Sequence, residues 1–65
     1  MFNTNKFNAL CSEKGIKKKE LAERTKIPLE RLYRKQKTGS FTRAEILALC
    51  SVLGKEETLS VFFDN

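Results

Sequence analysis

The residues in this sequence best suited to chemistry are cations, and they are gathered in one stretch. Between Lys14 and Arg43 stand 11 of the 13 lysines and arginines with only three acids, Glu20, Glu23 and Glu30, a net +8. The remainder sets Lys6 and Lys55 against Glu13, Glu45, Glu56, Glu57 and Asp64, a net −3, and the chain carries +5 in all. Clustered cations of this kind attract a polyanion, most often duplex DNA, through its phosphates. The triplet Lys17-Lys18-Lys19 falls where a helix is expected to begin. It opposes the helix dipole there, which favours acids in the first turn, so folding stability does not recommend it. A phosphate at that helix start would, because free backbone N–H groups and lysines then converge on one anion. The plainer reading of a lysine run, a solvated face, stands beside this one.

Other reactive side chains are sparse. The chain has no histidine, which excludes His-based catalysis and a zinc site. Cys11 and Cys50 fall on the apolar sides of expected helices. Both are expected to be reduced, buried thiols, since a disulfide or metal site needs closer spacing or more ligands. There is no phosphate-cradling glycine loop, the carboxylates are scattered, and a closed pocket has little room in 65 residues. The expectation is therefore a protein that is not an enzyme, with no metal, no cofactor and no small-molecule ligand.

The elements that must position the cations are short helices. A first, over about 5–14, places Phe7, Leu10, Cys11 and Lys14 on one face, and Gly15 is its natural left-handed stop. Phe2 precedes it and is free to fold back on the core. A second, 18–25, buries Leu21, Ala22 and the stem of Thr25. Lys26-Ile27-Pro28 forms a turn, since Pro28 disfavours a helical Ile27 and suits a helix start. A third runs from 29 to 36 or 37, with Gly39 and Ser40 closing it. A fourth opens on the capping box Thr42-Arg43-Ala44-Glu45, with Phe41 placed to staple onto Ile46. It continues through Ile46, Leu49, Cys50 and Leu53 to Gly54. A fifth, over 56–63, presents Leu59, Phe62 and Phe63. No strand pattern, linker or repeat is visible. The fold class expected is all-α: a compact bundle of about five short helices, one domain over 1–65. No apolar run approaches the ~18 residues of a membrane span. The opening Met-Phe-Asn-Thr-Asn is polar rather than signal-like, so a cytoplasmic protein is expected.

The spacing of Leu21-Ala22, Ile27 and Leu32 resembles the helix-turn-helix of the phage repressor and Cro class, the XRE family. The likeness extends outward to Ile16, to Phe41-Thr42-Arg43-Ala44-Glu45-Ile46, and to the ending from Leu53-Gly54 through Val61-Phe62-Phe63. That ending is similar to short prophage-encoded members from Gram-positive bacteria and their phages. The resemblance covers about residues 7–63. It departs from the family at Lys26, where the family usually has Gly because the turn residue takes positive φ. Lys can adopt that conformation at a cost of about 1 kcal/mol. It departs again at Thr38, where the family often has Gly; here Gly39 follows one residue later.

The resemblance implies a lambda-repressor-like DNA-binding domain whose third helix lies in the major groove. By position, Leu29, Glu30, Tyr33 and Arg34 then face base edges. The residues themselves disagree in part, since Leu29, Leu32, Tyr33 and Gln36 also form an apolar stripe. Leu29 and Tyr33 thus stand between groove and core. Arg34 is the candidate for direct readout of guanine, with a plain phosphate contact as its alternative. Glu30 either accepts from a cytosine amino group or suits the helix dipole. Arg31 and Lys35 flank the groove side and either reach the backbone or remain solvated. Lys17, Lys18 and Lys19, with Lys37 and Arg43 around the next loop, are the expected phosphate contacts, which set register but not sequence.

One such helix reads only ~4–5 base pairs, so the family dimerises on near-palindromes. Of Phe62 and Phe63, one is expected in the core and the other exposed for a two-fold contact; the alternative buries both. The function implied is a sequence-specific, Cro/repressor-like regulator of transcription, bound to the bacterial nucleoid. The competing reading is a protein-interaction module, antitoxin- or anti-repressor-like, that keeps the fold and meets an acidic surface. A basic membrane binder fits poorly, because the lysines do not lie opposite a broad apolar face.

Overall fold

Each stretch of helical apolar spacing forms a helix in a computed structural model, which describes residues 2–63. The order is α1 (Thr4–Glu13), α2 (Lys18–Thr25), α3 (Leu29–Gln36), α4 (Arg43–Leu53) and α5 (Lys55–Phe62), with no strand among the described residues. The fold is all-α, as expected.

The connections follow from local chemistry. Asn3 caps α1, its side-chain oxygen accepting the Lys6 N–H at 3.0 Å. Gly15, at φ 67°, ends it. Its N–H reaches Ser12 O at 3.0 Å, and the Ile16 N–H reaches Cys11 O at 2.9 Å. This pair of bonds satisfies carbonyls the helix end would otherwise orphan. After α2, Lys26 takes φ 62°, ψ 24°. The family's glycine conformation is thus kept by a lysine. Thr25 donates back to Leu21 O at 2.7 Å, Ile27 is buried, and Pro28 leads into α3. At the other end of α3, Gly39 sits at φ 75°, and a Cβ there would lie 2.3 Å from the Cβ of Phe2. The loop thus depends on glycine both for its backbone and for the N-terminal segment packed against it.

α4 opens on the expected capping box. The Glu45 N–H donates to Thr42 Oγ1 at 3.2 Å, and the Thr42 N–H donates to Glu45 Oε1 at 2.8 Å.

The core is built from Phe7, Leu21, Leu32, Leu49, Leu53 and Val61, all essentially inaccessible. Phe2 does fold back: its ring lies 5.5 Å from Phe7, 5.8 Å from Phe41 and 4.9 Å from Phe62. Thr4 Oγ1 donates to Gln36 O at 2.7 Å and the Asn3 N–H to Val61 O at 3.0 Å, tying the start of the chain to α3 and α5.

The face of α5 differs from the expected one. Thr58 and Val61 are buried, Leu59 and Phe62 are half-buried, and Phe63 is 73% exposed beyond the helix end. The helix is turned by about one residue, which puts Val61 into the core and Thr58 against α4. The Thr58 hydroxyl lies 3.5 Å from Leu49 O, and Val61 O is taken by Asn3. Cys11 is buried and Cys50 only half-buried; both thiols are free. No helix among the described residues is long and apolar enough to cross a membrane.

Candidate nucleic-acid interface

α3 is the least covered of the five helices, burying only Leu32. At about 100° per residue, Glu30 and Arg34 then point most directly away from the core. The structure places Glu30, Arg31 and Arg34 in solvent, with Tyr33 47% exposed. Leu29 is half-buried and packs against the core. The apolar stripe of the sequence therefore divides: Leu29 leans inward with Leu32, and Tyr33 does not.

The cations around α3 fall into two groups. Lys17, Lys19, Arg34, Lys37 and Arg43 are exposed, with no ion pair or side-chain hydrogen bond among the described residues. Lys17 also begins α2 with no side-chain cap, so the first N–H groups of α2 remain available to solvent or to an anion. The second group is held from inside. The Lys18 ammonium bonds to Asn8 Oδ1 at 2.5 Å and lies 5.3 Å from the centroid of the Phe7 ring. Lys35 Nζ reaches Glu45 Oε1 at 2.7 Å, and Arg31 Nη1 lies 3.8 Å from Glu45 Oε2. Burial tends to raise the Glu45 pKa. The Lys35 hydrogen bond, the Thr42 N–H and the Lys35 charge outweigh this and leave it below the ordinary 4.5.

Exposed basic and aromatic side chains on a lightly covered helix, with the lysine-bearing start of α2 on the helix before it, form a surface suited to a polyanion. The sequence profile of the Cro/C1-type helix-turn-helix DNA-binding domain matches residues 6–56. The chain belongs to this family. Neither a curated protein nor a solved structure gives a match. The matched span runs from within α1 through α4 to the start of α5, so α2, the Lys26–Pro28 turn and α3 are the helix-turn-helix of a Cro/C1-type domain. DNA binding is the activity of that domain, and α3 holds the place of its second helix.

Two contributors to this surface escaped the sequence reading. Asn8 orients Lys18, and Glu45 does more than cap α4. The capping-box spacing marked Glu45 as important, but its partners on α3 lie outside any local pattern.

Proposed function

We propose that the protein is a sequence-specific transcriptional regulator of the Cro/repressor kind, which lays α3 in the major groove of a two-fold symmetric operator. The observation that carries this reading is Arg34: exposed, unpaired among the described residues, and centred on the outward side of a helix that buries one residue. In this reading Arg34 reads guanine O6 and N7 with two hydrogen bonds. Glu30 and Tyr33 flank it at the base edges. Lys17, Lys19, Lys37 and Arg43 hold phosphates on either side, and Lys18, whose ammonium lies over the Phe7 ring and is bonded to Asn8, joins them only by leaving Asn8. Leu29 sits at the rim of the groove.

A symmetric site requires a second copy. Among the described residues, Phe63 at 73% exposure and Leu47 at 60% are the most exposed large apolar side chains. An open groove of about 370 Å³ lined by Ile46, Leu47, Cys50 and Leu59 lies between α4 and α5. This surface supports a dimer built through α4 and the end of α5, with Phe63 as its exposed apolar contact and Phe62 packed inward on Phe2 and Phe41. The likeness of residues 53–63 to prophage-encoded regulators supports a Gram-positive or phage source and work on the nucleoid in the bacterial cytoplasm. Repression would follow from occupying a promoter.

Selection from a random duplex pool tests this directly. The expected product is a two-fold symmetric consensus with half-site centres about one DNA turn, ~34 Å, apart. With about four phosphate contacts per subunit, log K should fall with log salt at a slope near −4 per subunit. An unenriched pool and a flat salt response would leave the interaction-module reading in its place.

A further inference from the structure

Glu45 occupies a position that neither capping nor DNA contact accounts for in full. One carboxylate oxygen, Oε1, accepts both the Thr42 N–H at 2.8 Å and Lys35 Nζ at 2.7 Å. The other, Oε2, lies 3.8 Å from Arg31 Nη1. The Glu45 and Lys35 side chains are only 12% and 19% exposed, whereas Arg31 remains 50% exposed. Arg31 and Lys35 are four residues apart on one side of α3, the side turned to the start of α4. A cap needs only the contact with Thr42. The two cations are extra, and they come from the helix that carries Arg34.

We propose that Glu45 is a positioning residue for DNA recognition: it draws Lys35, and less tightly Arg31, off the phosphate-facing surface and fixes the rotation of α3 about its axis so that Arg34 leads. Lys35 spent on Glu45 adds nothing to phosphate binding. A phosphate contact strengthens binding to every duplex alike, whereas a base contact does not. Holding one or two cations back therefore shifts the balance from indiscriminate towards selective binding. The charge pattern of the chain supports this. Glu45 is the first acid after the +8 stretch, and it sits against the one helix where excess positive charge would blur readout.

This inference rests on the proposed DNA-binding role of α3, and the test separates the two. Bulk duplex DNA is titrated with wild-type protein, Glu45→Gln, Lys35→Met and the double variant at salt between about 50 and 200 mM. Gln retains the oxygen that accepts the Thr42 N–H, so the capping box survives; the same oxygen stays open to Lys35, but a neutral amide holds an ammonium far less firmly against a competing phosphate than a carboxylate does. Thermal melts of each variant set the temperature at which all are folded. Glu45→Gln should steepen the slope of log K against log salt by about 0.9 for each cation released, that is by about 0.9 to 1.8. Adding Lys35→Met to it should take back about 0.9. Lys35→Met alone should leave the slope where it was. On a selected site, the ratio of specific to bulk affinity should fall in Glu45→Gln. A purely structural role would shift the melting temperature and leave the slope alone. An unchanged slope in folded Glu45→Gln, or a slope reduced by Lys35→Met alone, overturns the positioning role while the DNA-binding reading stands. A flat salt response in the wild type overturns that reading and this inference with it.

Discussion

Lys26 stands at φ 62°, where a side chain crowds its own backbone and glycine does not. Lys26→Gly should therefore stabilise the fold by up to about 1 kcal/mol, less what the freer unfolded chain gives back. Denaturant melts should show a raised midpoint with an unchanged slope. This strain was legible through the family resemblance, because the residue at this place in the family is usually a glycine at positive φ. The individual cations were less legible. A run such as Lys17-Lys18-Lys19 shows where charge accumulates, but not which lysine is already occupied. Lys18 is engaged by Asn8 and Phe7 on another helix, and Lys35 by Glu45 ten residues on. Such pairings depend on how helices cross, which residue types alone do not encode. Cys11 and Cys50 illustrate the same limit: both lie on apolar faces, yet only Cys11 is buried, and burial pushes its thiol pKa up.

At the scale of elements, the helix boundaries were readable because caps and stops are local. The Thr42–Glu45 box, Gly15 and Pro28 each act within four residues of themselves. The orientation of α5 was not, because it follows from the packing of Thr58 and Val61 against the other helices and from the docking of Asn3, which are distant in sequence. The same separation of local and long-range effects gives a pH prediction for the α3–α4 junction. The Glu45 carboxyl is held below its ordinary 4.5 in the folded protein, with burial opposing and Lys35 and Thr42 prevailing. A carboxyl whose folded pKa is depressed stabilises the fold fully above its unfolded value and loses that contribution as pH falls through the folded one. Acidification from about pH 4.5 downward should therefore lower the melting temperature. Glu45→Gln should flatten that decline in part. A remainder should persist from Glu57, whose pKa is lowered by its own backbone N–H and by Lys14.

At the scale of the whole molecule, charge and apolar surface are segregated. The +8 stretch builds α2, the turn and α3, while Glu56 and Glu57 lie on α5 and the exposed Phe63 just beyond it. In the proposed reading the first surface meets a polyanion and Phe63 meets a second copy. Phe63→Ser should leave the stability of the isolated chain within about 0.5 kcal/mol, since an exposed side chain away from special contacts has little to lose. The same change should weaken binding to a full two-fold site far more than to a half-site, as read in parallel mobility-shift titrations. Equal losses on both would place Phe63 outside the dimer contact.

The claim at the centre is that α3 reads bases through Arg34 while its neighbours hold phosphates. It is tested most directly by measuring Arg34→Ala and Lys19→Ala against the selected operator and against duplexes changed one base pair at a time. Arg34→Ala should erase discrimination at one base pair, a loss of about 5- to 150-fold for a two-hydrogen-bond contact worth ~1–3 kcal/mol. Lys19→Ala should weaken every duplex by the same factor and leave discrimination intact. Uniform weakening by Arg34→Ala at every position would contradict the account and reduce this arginine to one more phosphate contact.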